Sequence, residues 1–259
     1  MVEPDLEMEL PDLRRYARAL TGDQRAGDSL VEETRRLLTN RTESTLEHFS
    51  DRTRLFGLIG SLLDSRAFLN FNPESPDSMG RRAVLLTEVF GFSDQDARDA
   101  LDLAPENYDM LLQAARISPP GLGSARIVIL EDQFLTADAE QTLLESLGHV
   151  VIGSTATADE AFDLVMLHHP EIVICDVDLG KDEPTGLDFA KSVPDSYNCA
   201  FVFVTGHPET LLKGHPGEPA YLVAKPYSDV VLGAMVYQAF LAVRAREMKM
   251  SGTTASRRS

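Results

Sequence analysis

The stretch EIVICD, residues 171–176, decides the fold of the C-terminal half: its apolar run ends in Asp176, with Asp178 two residues further on. Four similar apolar runs accompany it along the chain: ARIVIL (125–130), HVVIGS (149–154), AFVFVT (200–205) and AYLVA (220–224). Runs that are continuously apolar, rather than alternating with polar residues, predict strands buried on both faces. Such strands are typical of a parallel sheet covered by helices.

Stretches with helical periodicity separate these runs: LTADAEQTLLESLG, ADEAFDLVMLHH, TGLDFAKSV, PETLLKG and SDVVLGAMVYQAFLAVRAREM. Five repeats of strand and helix predict a doubly wound α/β domain, (βα)5, over residues 125–247. In such sheets the functional site lies at the carboxyl ends of the strands. The polar residues 248–259 predict a disordered tail.

The N-terminal part, residues 1–117, has a different pattern. Its apolar residues recur at helical spacing and no strand is predicted, which indicates an all-α domain. The segment NFNPESPDS, near residues 70–78, divides this domain into two halves. The segment SPPGLGS, residues 118–124, contains helix-breaking prolines and glycines and predicts a linker between two domains.

Composition narrows the classes of function. The 259 residues carry a formal net charge of −17, which opposes binding to the phosphate backbone of DNA. No apolar run approaches the roughly 20 residues of a membrane span, and the N-terminus lacks the pattern of a signal peptide. These features predict a cytoplasmic protein that binds neither DNA nor a membrane.

Candidate site residues stand at the ends of the predicted strands. Glu131 and Asp132 follow the first strand, Asp176 ends the third, Thr205 ends the fourth and Lys225 follows the fifth. The fold brings these strand ends together, and crowded carboxylates of this kind favour a bound cation such as Mg²⁺. A metal, a lysine, a hydroxyl and a free carboxylate together indicate phosphoryl transfer to Asp176.

Residues 125 to about 247 resemble a response-regulator receiver domain, because all of these residues occur in the order and spacing of that family. The resemblance implies that Asp176 is the phosphoacceptor and that a cis peptide bond joins Lys225 to Pro226. It also implies a Mg²⁺ site and two contacts to the phosphoryl group. The implied ligands are Asp132 and Asp176 directly, the backbone carbonyl of Asp178, and Glu131 through water; the phosphoryl contacts are Thr205 and Lys225.

The sequence departs from the receiver pattern at the usual switch position. Receivers place an aromatic residue three positions before the lysine, where this chain has Leu222, and Tyr221 stands one position earlier. A shift of one residue along a strand reverses the direction of the side chain. Tyr221 is the candidate switch residue, but its side chain is expected to point in the direction opposite to that of the usual switch residue. The run FVFVTGHP resembles a receiver subgroup in which the threonine is followed by glycine.

The N-terminal half resembles an extracytoplasmic-function sigma factor. The segment DLRRYARALTGDQRAGDSLVEETRRLL is similar to the start of the second sigma region, and LLTEVFGFSDQDARDALDLAPENYDMLLQAAR is similar to the fourth. Ser93 and Asp96 form a capping pattern at the start of a helix in the second of these segments.

Charge sets the fourth-region segment apart from a DNA reader. From Ala83 to Arg116 the chain has seven acids and two bases, whereas a reading helix presents positive and amide side chains. The segment therefore keeps the scaffold of a sigma factor without its DNA face. We interpret this as mimicry of a sigma factor towards a protein partner.

The whole architecture resembles the PhyR-type response regulators of the alphaproteobacterial general stress response. This resemblance implies that phosphorylation releases the sigma-like domain from the receiver. The released domain then binds an anti-sigma factor of the NepR type and frees the stress sigma factor. A sensor histidine kinase or phosphotransferase is the implied phosphate donor. The chain is then a phosphoacceptor and not an enzyme acting on other substrates.

Two alternatives remain open from the sequence. One is a phosphorylation-activated transcription regulator that reads DNA through residues 94–117, with Asn107 and Gln113 as base-reading residues. The other is an enzyme, such as a phosphatase, that uses the three acids. The first requires a basic reading helix, and the second requires a substrate pocket beyond the cluster of acids.

Overall fold

A computed structural model describes residues 3–39, 51–65, 76–116, 123–180, 184–194 and 196–256. The chain divides into two compact units. The first comprises Met1–Pro120 together with Glu209–Glu218, and the second comprises Gly121–Pro208 and Pro219–Ser259. The predicted break near residues 70–78 and linker 118–124 lie largely outside the described residues.

The described residues of the first unit form helices and turns without a strand, which confirms the fold class predicted for the N-terminal half. Its helices are α1 (Glu3–Thr21), α2 (Gln24–Thr39), α3 (Asp51–Ser65), α4 (Pro76–Val84), α5 (Asp94–Leu101) and α6 (Pro105–Arg116), with a π-helical turn at Leu85–Val89 after α4.

An aromatic cluster forms the core between α1, α3 and the turn before α5. The rings of Tyr16, Phe56, Phe90 and Phe92 are buried, and the distances between the centroids of neighbouring rings are 4.9–5.5 Å. Tilted and edge-to-face contacts of this kind stabilise a core beyond the burial of their area. The helical periodicity of apolar residues in the sequence thus corresponds to side chains that are buried in this core.

The segment that resembles the fourth sigma region contains the helix pair α5 and α6. Ser93 caps α5, because its hydroxyl accepts a hydrogen bond from the backbone amide of Asp96 at 3.1 Å. Asp102 ends α5 in a left-handed conformation, with φ of 52°, which turns the chain into α6. The capping pattern predicted from the sequence is confirmed.

The second unit is a five-stranded parallel sheet in the order β2-β1-β3-β4-β5, which confirms the doubly wound α/β class. Its elements are β1 (Arg126–Leu130), α7 (Phe134–Ser146), β2 (Val150–Thr155), α8 (Ala158–His168), β3 (Ile172–Asp176), α9 (Gly186–Ser192), β4 (Ala200–Thr205), β5 (Tyr221–Ala224) and α10 (Asp229–Ser256).

Two predictions about local structure are wrong. The fourth connection contains only a 3₁₀ turn, Pro208–Leu211, where the pattern predicts a helix. Gly214, Pro216, Gly217 and Pro219 follow closely and prevent the helix from continuing. At the C-terminus α10 continues to Ser256, so the predicted disordered tail is wrong for residues 248–256.

Among the described residues, no helix is both long enough and apolar enough to cross a membrane.

Candidate functional site

The sheet order places the predicted site residues at one edge. Strand β3 lies between β1 and β4, and β4 in turn pairs with β5. Leu130, just before the acid pair, pairs with Cys175, and Asp176 pairs with Val204. Thr205 pairs with Ala224, which directly precedes Lys225. Because all strands are parallel, the four strand ends converge at their carboxyl edge.

Three carboxylates meet at this edge. Oxygen atoms of Glu131, Asp132 and Asp176 all lie within 4.8 Å of one another. Glu131 and Asp176 are buried, with exposed fractions of 3% and 4%, whereas Asp132 is exposed to solvent. The cluster thus has a buried side formed by the protein and an open side at Asp132.

Lys225 connects two of these acids. Its Nζ lies 2.5 Å from Asp176 Oδ2 and 2.9 Å from Glu131 Oε2. The other oxygen of Asp176, Oδ1, accepts a hydrogen bond from the backbone amide of Asp178 at 3.0 Å. The Asp178 amide thereby fixes the orientation of the Asp176 carboxylate, and the Asp178 side chain lies outside the three-acid cluster.

The electrostatics of the cluster indicate a deficit of positive charge. Burial raises the pKa of Glu131, and the nearby charge of Asp176 raises it further, against the opposing effect of Lys225. For Lys225 burial acts to lower the pKa, but its bonds to Asp176 and Glu131 outweigh that and raise it. One lysine among three carboxylates leaves an excess of negative charge, which a divalent cation would neutralise. Carboxylate oxygens are the ligands that Mg²⁺ prefers.

Backbone close to Asp176 is tightly packed. Gly186, the first residue of α9, would place a Cβ only 2.2 Å from the Asp176 carbonyl oxygen. A larger residue at position 186 would therefore displace the end of β3 and the carboxylate it carries.

A backbone hydrogen bond joins Thr205 and Lys225 on the side of Asp176 where β4 and β5 lie. Thr205 is buried, its hydroxyl oxygen accepts a hydrogen bond from the His207 amide at 3.0 Å, and its carbonyl accepts one from the Lys225 amide at 2.7 Å. The peptide bond between Lys225 and Pro226 is cis, as the family resemblance implied.

The candidate switch residue Tyr221 lies in the interior. Its ring is 2% exposed, and its hydroxyl is 3.4 Å from the Gln238 carbonyl oxygen on α10. Leu222, at the usual switch position, is also buried. A switch role for Tyr221 remains a prediction.

The sequence did not indicate that Glu140 and Tyr227 lie near this site. Glu140 on α7 is buried and accepts a hydrogen bond from the Tyr227 hydroxyl at 2.5 Å. The signal in the sequence is that Glu140 interrupts the buried stripe of α7, where Ala137 and Leu144 are its neighbours one turn away.

Sequence reasoning also missed the role of the segment Glu209–Glu218, which we call the β4–β5 segment and which belongs to the first unit. Arg18 on α1 is fully buried, and its guanidinium donates to Asp28 and to Glu218, each at 2.8 Å. Burial opposes ionisation of Glu218, but the amide of His215, the Arg18 guanidinium and the amide of Gly214 outweigh it and lower its pKa.

Further polar contacts join the β4–β5 segment to α1 and α2. The Gln24 side chain donates to the His215 carbonyl at 2.5 Å and accepts from the Gly217 amide at 2.8 Å, while Arg14 donates to the Leu212 carbonyl at 3.1 Å. Gly214 has a φ of +90°, and a Cβ there would lie 3.0 Å from the Arg14 guanidinium. The segment is thus held to two helices by side-chain and backbone bonds.

The helix pair α5 and α6 presents an acidic surface. Glu106 and Asp109 are exposed near the start of α6, together with Asn107 and Gln113. The two amides that could read bases are therefore accessible, but they lie beside carboxylates that repel a phosphate backbone.

Comparisons with known proteins agree with both halves of this arrangement. Residues 6–59 match the family described as "Sigma2 domain of PhyR", and residues 127–236 match "Response regulator receiver domain". The chain is 32% identical over 246 residues to the phyllosphere-induced regulator PhyR of Methylorubrum extorquens, covering 89% of this chain and 91% of that protein.

Solved structures resemble the chain over nearly its whole length. The crystal structure of the response regulator PhyR from Brucella abortus has a TM-score of 0.80 and 30% identity, with 96% of this chain and 98% of that chain covered. The crystal structure of the anti-anti-sigma factor PhyR from Bartonella quintana has a TM-score of 0.84 and 29% identity, with 99% and 100% covered.

Proposed function

The chain belongs to the PhyR family of response regulators, and on that premise we propose that it is a phosphorylation-controlled anti-anti-sigma factor. Phosphorylation of Asp176 releases the sigma-like helices, which then bind an anti-sigma factor of the NepR type and free a stress sigma factor. The observation that carries the proposal is the cluster of Glu131, Asp132 and Asp176 with Lys225, within a chain whose other half matches a sigma-factor region.

The phosphoryl transfer uses residues with separate tasks. Asp176 attacks the phosphorus of a phosphohistidine or acyl phosphate, and the bond from phosphorus to the donor breaks with its electron pair leaving on the donor. Lys225 then exchanges its bond to Asp176 for one to a phosphoryl oxygen. Thr205, whose oxygen accepts from the His207 amide, has its own proton to donate to the phosphoryl group.

The metal proposed for this step is Mg²⁺. Asp132 and Asp176 would hold it directly, with the Asp178 backbone carbonyl, and Glu131 would contribute through water. A bound Mg²⁺ supplies positive charge that neutralises the phosphoryl oxygens during transfer. The exposed position of Asp132 supports this assignment, because it leaves one side of the cluster open to the ion and the donor.

The β4–β5 segment supports the proposed release. It begins just after Thr205 and ends just before the strand that leads to Lys225, so the two phosphoryl-contacting residues flank it in the chain. Its bonds to Arg14, Arg18 and Gln24 hold it within the first unit. Movement of Thr205 and Lys225 towards a phosphoryl group would pull on both ends of this segment and favour its release from α1 and α2.

The partner proposed is a protein and not DNA. The Bartonella quintana relative is described as an anti-anti-sigma factor, and the acidic surface of α6 supports a protein partner for this chain as well. The exposed carboxylates Glu106 and Asp109 argue against the alternative of a DNA-reading regulator.

The test is complex formation between the purified full chain and a NepR-type anti-sigma factor, followed by gel filtration. We expect a stable complex in the presence of Mg²⁺ and acetyl phosphate, and little complex without the donor. In Asp176→Ala we expect the donor to have no effect on complex formation. Complex formation that is the same with and without the donor would contradict phosphorylation control.

A further inference from the structure

A buried glutamate lies behind the phosphoacceptor site. Glu140 is 3% exposed, and only its Oε1 is hydrogen-bonded, to the Tyr227 hydroxyl. Its Oε2 is buried without a hydrogen-bond partner among the described residues. A buried carboxyl group with an unsatisfied oxygen destabilises a fold. An apolar side chain at position 140, on the buried face of α7, would not carry this cost. The position therefore calls for a reason other than stability.

The hydrogen bond connects a helix and a loop that each adjoin residues of the site. Glu140 lies on α7, the helix that begins directly after the acid pair Glu131 and Asp132. Tyr227 lies two residues after Lys225, in the loop between β5 and α10. The bond from Tyr227 to Glu140 thus fixes the loop that carries the lysine relative to the helix that follows the acids.

We propose that Glu140 is a positioning residue for phosphoryl transfer, which holds Tyr227 and through it the loop of Lys225 against the acid cluster. The inference rests on the proposed role of Asp176 as phosphoacceptor. The geometry assigns Glu140 no contact with the phosphoryl group: it acts by holding Lys225 in reach of Asp176 and Glu131, where its Nζ lies 2.5 Å and 2.9 Å from their oxygens.

The charge of Glu140 gives the role a measurable signature. Burial, helped by the charges of Glu131 and Asp176, raises the pKa of Glu140 to about 7, against the Tyr227 hydrogen bond and the charge of Lys225, which lower it. A hydrogen bond to an ionised carboxylate is stronger than one to a neutral carboxyl group. The bond that holds the lysine loop should therefore weaken as the pH falls through this value.

The test compares labelling of Asp176 by acetyl phosphate in full-length Glu140→Leu, Glu140→Gln and Tyr227→Phe, with saturating Mg²⁺. We expect Glu140→Leu and Tyr227→Phe to lower the labelling rate roughly tenfold, the scale on which misplacement of a positioned group acts. The thermal unfolding midpoint of Glu140→Leu should be unchanged or raised. Glu140→Gln, which keeps a hydrogen-bond acceptor without a charge, should label with a flatter profile between about pH 6 and about pH 8.

Glu145→Gln is the matched control, because Glu145 is an exposed acid on the same helix, hydrogen-bonded to Gln141. It should label like the wild type. Labelling within about twofold of the wild type in both Glu140→Leu and Tyr227→Phe would overturn the inference, and so would losses that merely follow loss of folded protein. If the wild type itself is not labelled at Asp176, the proposed function fails instead, so the two failures are distinguishable.

Discussion

At the scale of single residues, the proposed phosphoacceptor is distinct from the groups that balance its charge. Asp176 is buried and oriented by the Asp178 amide, while Asp132 is exposed at the edge of the same cluster. Lys225 offsets part of the negative charge but contacts only Glu131 and Asp176 among the three acids. Asp132 is therefore the acid of the cluster whose charge Lys225 does not offset by direct contact.

We predict that Asp132→Asn lowers the affinity for Mg²⁺ by roughly tenfold or more, because it removes one of the two proposed direct carboxylate ligands. Calorimetric titration of the full chain with Mg²⁺ measures this directly. Asp138→Asn, an exposed acid on α7 outside the cluster, is the control and should titrate like the wild type. Equal affinities for Asp132→Asn and wild type would remove Asp132 from the ligand set.

At the scale of elements, the β4–β5 segment differs most from the pattern of a repeating α/β domain. A 3₁₀ turn replaces the helix between β4 and β5, and the residues that follow are bound to α1 and α2. Arg18 is fully buried with Asp28 and Glu218 as its acidic partners, so removing one partner leaves a buried charge less well compensated. The Arg18–Glu218 ion pair is thus one of several bonds that hold the segment to α1 and α2.

We predict that Glu218→Gln raises the affinity of the unphosphorylated chain for the anti-sigma factor by roughly tenfold, because a weaker hold on the segment increases the released population. Asp163→Asn makes the same change of charge at an exposed acid on α8, outside the segment, and should leave the affinity unchanged. Fluorescence anisotropy with a labelled anti-sigma factor, without phosphate donor, compares the two. An unaltered affinity for Glu218→Gln would mean that this bond does not restrain release.

The elements also show what the sequence can and cannot predict. The apolar runs predict the five strands within about one residue, because a buried parallel strand has a distinctive unbroken apolar pattern. The acid cluster follows from them, since parallel strand ends must converge. The contacts of Glu218 with Arg18 and of Glu140 with Tyr227 join residues 200 and 87 positions apart. Contacts at such separations leave no local pattern, so the sequence does not indicate them.

At the scale of the whole molecule, the proposed function divides between the two units. One contains the proposed phosphoacceptor site, and the other contains sigma-like helices together with the β4–β5 segment. The net charge of −17 and the acidic surface of α6 both oppose DNA binding, which supports the proposal that the partner is a protein. If the binding-competent form is populated at about 1% before phosphorylation, the apparent affinity for the partner is reduced roughly a hundredfold.

The central claim is that phosphorylation of Asp176 controls binding of the anti-sigma factor. The most direct measurement is isothermal titration of a NepR-type anti-sigma factor into the full chain with Mg²⁺, alone and with beryllofluoride as a phosphoryl mimic, in wild type and Asp176→Ala. We predict that beryllofluoride raises the affinity of the wild type by roughly a hundredfold and does not alter that of Asp176→Ala. Equal affinities with and without beryllofluoride in the wild type would contradict the account.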